Sequence, residues 1–484
     1  MLLLAAILLI VLNVLGQGYL PPDAALMHAA KVVSGRSWHE ILVLSDPAWL
    51  DPWPGWHALL ELVHRTVGGG PDTLVVFAVV GLFVALSLAP LCLMKRPEAW
   101  ILALLVVLAA NPHWLEHVLR GAPHIASMAV LLTILFLWPQ FERPARPGWH
   151  VFALVSGLTA VQTTLHANWC LPALPLLALV MARKWRGARR LAITMGSGVL
   201  AGGCLAGQPR GFLTQSFLEP LRSGLQPGGP LLPTAALHAQ TPDFRIAACV
   251  LALLAWGAFT KKRRDVPLAR DPVFLLACLC WVLAQLVPML WLNWGMPVAA
   301  LWIACQLQTW LEQRIPTYAH ARLALTLGAG AILCLATTAN TQNRWTARLK
   351  HQHLKKNNPL HAKSLPENGG ILYSDARSVF YRTFYANPAG DWRYLLGPQR
   401  APITQELRAT LARIRRARGS PASYAPWIAK MNPEDRLVLM RPFALKPDIH
   451  RLQWLYPASG TWVGRLPSPQ PNRVSTNLPA HNRP

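Results

Sequence analysis

The stretch TLVVFAVVGLFVALSLAPLCLMKRPEAWILALLVVLAA, residues 73–110, decides how the chain folds. Residues 73–94 and 99–110 carry no charged side chain, and Lys95, Arg96 and Glu98 stand between the two blocks. A soluble amphipathic helix keeps one face polar, and these blocks keep none. The longer one matches the ~20 residues needed to cross a hydrocarbon core of ~30 Å. Blocks of the same kind, almost free of charge, recur at 123–138, 191–207, 246–259, 272–289 and 322–339. Only 14% of the 484 residues are charged while 53% are hydrophobic, and the apolar ones are gathered into these blocks instead of being spread as in a soluble core.

The formal charge of +25 raises the question of a nucleic-acid partner. Much of the basic excess, however, sits in short connections between apolar blocks: Lys95-Arg96, RKWRGARR (183–190) and KKRRD (261–265). Such clusters mark cytoplasmic loops, so the charge is a topology signal and nucleic acid is not an expected partner. With these loops inside, the N-terminus is cytoplasmic. Helices are expected near 1–16, 73–94, 99–111, 123–139, 150–165, 169–182, 191–207, 246–260, 272–289, 297–311 and 322–339, while the outward connections near 112–122, 166–169 and 290–296 carry Arg120 as their single Lys or Arg. MLLLAAILLIVLNVLG at the start lacks a basic n-region and a small-x-small cleavage site, and reads as a retained first helix. The eight cysteines all lie within or beside apolar blocks, which suits buried small hydrophobes better than a disulfide framework. The expected class is a polytopic α-helical membrane protein with about eleven transmembrane helices, in a bacterial inner membrane.

This threading divides the chain into a transmembrane part, 1–339, with a large first extracytoplasmic loop at 17–72, a soluble extracytoplasmic domain at 340–466 and a disordered Pro/Asn-rich tail at 467–484. A third outer segment, 208–245, is rich in Pro and Gly. Within the terminal domain ILYSD (371–375) and RLVLM (436–440) read as strands and ITQELRATLARIRRAR (403–418) as an amphipathic helix, a small α+β unit. Residues 341–484 hold 23 Lys or Arg against 7 acids, which favours anionic lipid or envelope polymer as a neighbour. No repeat of fixed period occurs, nor a pair of interrupted helices in matching halves such as an inverted-repeat transporter carries.

The first outer loop holds the residues that suggest chemistry. Asp23 follows Pro22 just beyond the first helix, and Met27, Ala30 and Val33 recur after it at helical spacing. On local pattern alone Asp23 simply complements a helix dipole. Further on, DPWPGWHALLELVHR (51–65) runs from a proline-centred turn into a helix, and LRGAPHIASMAVLL (119–132) opens the next long apolar block. In order and spacing these three elements resemble the GT-C superfamily of polyprenyl-phosphate-sugar-dependent glycosyltransferases, over roughly residues 17–170. That resemblance implies a sugar donor linked to polyprenyl phosphate, an extracytoplasmic acceptor (glycan, lipid or protein), inversion at the anomeric carbon and Asp23 as general base. It departs from the family pattern where Ala24 stands in place of a second acid, so metal binding does not carry over strictly; a divalent cation, Mg or Mn, is left open and no other cofactor is expected.

A lipid phosphate leaving group calls for positive or hydrogen-bonding partners. Arg120 is the first choice; Arg210 and Arg245 at the bounds of the third outer segment follow, with lipid anchoring as their alternative role. His57 and His113 are candidates for contacts to phosphate or acceptor, against a plain structural role, and Glu116 for positioning the acceptor or a cation. HWLEH (113–117) matches a zinc-peptidase pattern but lacks a third-ligand helix after it. Trp49, Trp53 and Trp56 read as interfacial anchors rather than sugar-stacking rings. The rival class is a transporter or flippase of a lipid-linked or anionic solute. A reporter fused after residue 484 is expected outside the cytoplasm; a cytoplasmic signal would shift the helix count by one.

Overall fold

The computed structural model describes residues 24–46, 48–111, 113–143, 147–166, 173–224, 251, 255, 270–284, 290–314, 328, 353–367, 369–398, 401–441 and 445–467. Asp23, Arg245, the helix expected at 1–16 and nearly all of those expected at 246–260 and 322–339 lie outside them, as does the tail beyond 467.

The first loop is helical: α1 spans Ala24–Ser34 and α2 Pro54–Val67. The next two helices are α3 (Pro71–Leu93) and α4 (Pro97–Ala110). Each of α2, α3 and α4 opens on proline, whose missing N–H costs nothing in a first turn. After them come α5 (His113–Val118), α6 (His124–Leu137), α7 (Trp149–Leu165), α8 (Ala173–Met181) and α9 (Trp185–Leu205). Further on lie α10 (Pro209–Gly224), α11 (Pro272–Ala284) and a π-turn, Trp291–Gly295, that runs into α12 (Met296–Arg314).

By length and composition two described helices can cross a membrane, Pro71–Pro90 and His124–Glu142; α9 and α10 make a third if that pair, bent by 113°, counts as one span. Within the Pro- and Gly-rich segment 208–245, residues Pro209–Gly224 are helix. The physical cause of the bend is local: Gly207 takes φ +86°, a left-handed turn that stops α9, and Pro209 can start a new helix at once.

Small residues let α9 lie directly on α7. A Cβ added at Gly198 would fall 2.4 Å from the carbonyl oxygen of Ser156, and one at Gly202 2.7 Å from that of Ala160. These glycines are four apart, the small-xxx-small spacing by which apolar helices approach backbone to backbone. The hydroxyls of Ser156 and Ser197 meet at 3.0 Å on the same contact. On the far side of α9 Ile193 and Leu200 are exposed, a face suited to lipid.

The C-terminal part is built on a five-stranded sheet of order β2-β1-β3-β5-β4, with β1 Ile371–Tyr373, β2 Arg393–Tyr394, β3 Arg436–Met440, β4 Gln453–Ala458 and β5 Thr461–Arg465. The strands expected from ILYSD and RLVLM are β1 and β3, which pair in parallel; β5 runs antiparallel to β3 and forms a hairpin with β4. Helix α13 (Arg377–Ala386) lies between β1 and β2 in the chain. Helix α14 (Gln405–Arg416) falls within the stretch expected to be helical, capped by Thr404, whose hydroxyl accepts the Leu407 N–H at 3.1 Å.

The sheet is clamped to the first loop. The Val43 N–H donates to the Tyr394 carbonyl at 3.0 Å, and Leu42 forms a parallel bridge with Tyr394. The guanidinium of Arg36 donates to the carbonyl oxygens of Gly390 and Trp392, and the Tyr385 hydroxyl donates to Asp72 at the start of α3. One apolar core runs through this contact, from Leu26 and Met27 on α1 by Trp38 and Leu42 to Trp392, Tyr394 and Phe380.

Gly202→Val should force α7 and α9 apart and cost ~1–3 kcal/mol by overpacking. Its thermal unfolding midpoint in detergent is expected below wild type, whereas Gly196→Ala, which meets open space, should leave it unchanged or raise it.

Candidate active site

Helix α1 turns Leu26, Ala29 and Ala30 inward, and His28 is buried with them at 1% exposure. The partner of His28 is set by the turn before α2. The Oδ1 of Asp51 accepts the Trp53 N–H at 3.0 Å, a local turn of the Asx type that leaves Oδ2 facing the first helical turn. There Oδ2 lies 2.5 Å from Nδ1 of His57. The other ring nitrogen of His57, Nε2, lies 2.8 Å from Nδ1 of His28. Gly55 lets the start of α2 lie close against the end of α7, since a Cβ there would sit 2.5 Å from the Thr164 hydroxyl.

Tryptophans wall this file. Trp53 meets His28 edge-on at 4.9 Å between ring centroids, and Trp38 lies 5.9 Å from His57 and 6.1 Å from Trp49. Trp49, Trp53 and Trp56 are all buried. The interfacial-anchor reading of these three is therefore corrected: the DPWPGW turn folds them inward, where they keep water from the histidines.

The walls shift the titrations. Burial drives the pKa of His28 well below its ordinary 6.5, and the neighbouring His57 and His166 push the same way while Asp51 opposes them. Burial alone would raise Asp51, but the charge and hydrogen bond of His57, the Trp53 N–H and the Lys31 ammonium together outweigh it and hold the carboxyl at about 2. Burial lowers Lys31 itself, against the pull of Asp51, Glu61 and Glu40.

A polar seam continues from His28. His166, close enough to act on it electrostatically, lies 3.5 Å from the Ser127 hydroxyl through Nδ1, and its ring is 6.3 Å from that of His124. His124 is in turn 4.8 Å from His117 by ring centroids. The Nε2 of His117 meets the Asn293 side-chain oxygen at 2.5 Å, in the π-turn that precedes α12. Desolvation first, then the charge of Arg120, pull His117 down to about 4 in spite of Asn293. Gly121, at φ +63°, folds the Arg-Gly turn so tightly that a Cβ there would touch Val79 at 2.9 Å and Ala25 at 3.1 Å, which seats the glycine itself against α3 and α1. Several buried polar atoms in this region have no hydrogen-bond partner: Nε2 of His28, Oδ1 of Asn111, Nδ1 of His117, Nε of Arg120 and Nε2 of Gln162. Such atoms are costly to leave unmatched, and their grouping fits a polar ligand or water.

The expected site residues divide accordingly. Arg120 lines the seam. His57 is beside it, but both its ring nitrogens already face protein partners, so it offers no free nitrogen to a phosphate. His113 and Glu116 belong to α5, with their side chains outside the described residues, and Arg210 is exposed on α10. That helix is tied to the first loop beside Asp51 by paired hydrogen bonds of Gln215 with the Leu50 backbone, 3.0 and 2.9 Å. His28, Asp51, His117, His124 and His166 were not among the residues expected. Among the described residues no three or more His, Cys, Asp or Glu side chains group to hold a metal ion.

Over nearly its whole length the chain is similar to a solved structure, ArnT from Cupriavidus metallidurans bound to undecaprenyl phosphate. The match has a TM-score of 0.56 at 14% identity and covers 96% of this chain and 97% of that one. A second similar structure is the arabinofuranosyltransferase AftD from Mycobacteria, at a TM-score of 0.49 and 15% identity, covering 96% of this chain and 40% of that one. No family model and no curated protein matches the sequence. The likeness to the ArnT structure is one of overall fold.

Acid should loosen this region in two stages. An unfolded His28 takes up a proton near 6.5 and the folded one only well below that, so stability falls as pH drops below about 6.5. Asp51 protonates near 3.8 unfolded and about 2 folded; a further ~2 kcal/mol is lost as pH falls from about 4 towards 2. Unfolding midpoints in detergent should decline from pH 7 to 5, and His28→Gln should make that decline shallower; a midpoint that rises on acidification contradicts the assignment.

Proposed function

We propose that this chain, with its GT-C fold, is an integral membrane glycosyltransferase. It moves a sugar from a polyprenyl-phosphate-linked donor to an extracytoplasmic acceptor, a glycan, lipid or protein, with inversion. The observation that carries the reading is the buried polar seam beside Arg120, whose unmatched donors and acceptors lie next to the first loop. The likeness to a structure holding undecaprenyl phosphate supports a donor of that chemical class.

In this reading the acceptor hydroxyl attacks the anomeric carbon as the bond to the lipid phosphate breaks, and the Asp23 carboxylate takes the hydroxyl proton. The departing phosphate gains negative charge. Arg120 answers it, its guanidinium set in the seam with Nε unmatched. Arg210 and Arg245 serve as further anion contacts, His113 bonds phosphate or acceptor, and Glu116 positions the acceptor. Holding donor and acceptor together supplies much of the rate.

The same reading places residues 1–339 in the inner membrane with the N-terminus cytoplasmic, and the sheet-bearing part, 340–466, outside. A lipid donor then reaches the site from the bilayer with its head group level with the first loop.

Mass spectrometry of envelope glycans, lipids and glycoproteins from a deletion strain, complemented at matched protein levels, tests the reading. Wild type should restore a sugar-bearing species that the deletion lacks. Asp23→Asn should lose roughly 100-fold or more of that product, the range of general-base catalysis, yet still bind undecaprenyl-phosphate lipid. Arg120→Ala should weaken that binding. Full restoration by Asp23→Asn would sink the transfer mechanism and put the transporter reading ahead.

A further inference from the structure

His117 takes part in no step so far. It is 2% exposed, and only one of its ring nitrogens has a protein partner. Nε2 meets the Asn293 side-chain oxygen at 2.5 Å, while Nδ1 is buried with no partner. A buried imidazole in a purely structural role is expected to spend both nitrogens. His117 spends one.

That one bond is firmly anchored. Asn293 sits in the π-turn Trp291–Gly295, and π-turns are rare and gather at functional sites. Gly295 leaves room in the turn, since a Cβ there would run into the Trp291 ring. The Trp114 indole N–H donates to the Leu292 carbonyl at 3.2 Å, so α5 is fastened to the turn through Trp114 and His117 together. The Asn293 side-chain oxygen can only accept, so His117 carries its proton on Nε2. Burial and the neighbouring Arg120 charge bring its pKa down to about 4, and the ring is neutral near pH 7. Nδ1 is then a bare lone pair, an acceptor awaiting a donor.

The neighbourhood narrows what that donor is. Arg120 acts on the ring by its charge, and the His124 ring lies 4.8 Å away between centroids. A phosphate oxygen without a hydrogen would face Nδ1 acceptor to acceptor. An ammonium would be repelled by the Arg120 guanidinium. A hydroxyl avoids both conflicts, because it donates and carries no charge.

We propose that His117 reads a hydroxyl of the donor sugar through Nδ1, with Asn293 as the positioning residue that fixes the tautomer. The inference rests on the transferase reading above, with Arg120 on the lipid phosphate, and adds how the chain tells a loaded carrier from a spent one. A sugar joined to phosphate brings its hydroxyls close to that phosphate. Once the sugar has left, the bare carrier still offers its phosphate to Arg120 but nothing to Nδ1. A buried acceptor left unpaired counts against the ligand that fails to pair it. The loaded donor is therefore held in preference, and the spent carrier is let go.

The test uses the full chain, wild type or variant, purified in detergent from the complemented deletion strain. Each is incubated with the polyprenyl-phosphate fraction of the deletion strain's lipids, supplemented with undecaprenyl phosphate. Mass spectrometry of the bound lipid gives the ratio of sugar-bearing to bare polyprenyl phosphate. Wild type should enrich the sugar-bearing form over its share of the fraction. His117→Gln can place an amide N–H where Nε2 was, keeping the bond to Asn293, but leaves no acceptor at the Nδ1 position. It should lower the enrichment roughly 3- to 10-fold, the worth of one hydrogen bond, with the loss confined to the sugar-bearing form. His117→Asn puts a side-chain oxygen near the Nδ1 position and should keep part of the enrichment. Arg120→Ala should lower both lipids together. A purely structural role for His117 would change the amount of folded protein, and both lipids with it, but not their ratio. No enrichment by wild type, or a wild-type ratio in His117→Gln, overturns the proposal while bound undecaprenyl phosphate leaves the donor class standing. If neither lipid binds above a chain-free control, the donor class fails and this inference fails with it. Nitrogen-15 spectra of the wild-type chain give a check free of variants: His117 should carry its proton on Nε2 at pH 7.5, and a proton on Nδ1 refutes the assignment.

Discussion

A polar nitrogen taken out of water must find a partner or cost the fold of the order of 1–3 kcal/mol. The arrangement around the first loop follows from that constraint. Asp51 satisfies His57, His57 satisfies His28, and the tryptophans of the DPWPGW turn close the apolar shell about them. Some of the buried atoms that stay unmatched belong to residues of this region, Nε2 of His28, Nδ1 of His117 and Nε of Arg120 among them.

Much of the framework was legible in the chain. Charge-free blocks gave the positions of α3, α4, α6, α7 and α9 to within a few residues, save the start of α9, where the RKWRGARR stretch masked a first turn that is already helical. ILYSD and RLVLM gave two strands of the sheet. The site was harder to see, because its members are ordinary in their local setting. His28 is one polar residue on an apolar helix face, and Asp51 reads as a turn former. Their relation depends on how α1 meets the start of α2, which no periodicity encodes. A usable signal did exist: an acid six residues before a histidine, spanning a Pro-bounded helix start, with a second histidine at a core position upstream.

The tryptophans were misread for a related reason. Their place next to a membrane-facing loop suits anchors at an interface as well as core rings, and composition cannot separate the two. Burial decides it, and burial depends on the sheet. Without Trp392 and Tyr394 pressing on the segment from Trp38 to Leu42, one side of the aromatic wall would stand in water.

The contact between Val43 and Tyr394 joins residues 351 positions apart, and that between Arg36 and Gly390 spans 354. Long-range pairings of this kind cannot form until both partners have left the ribosome. The first loop is made well before the residues that wall it. A chain that stops short of Trp392 and Tyr394 can therefore form its earlier helices and still lack a closed wall around His28 and His57.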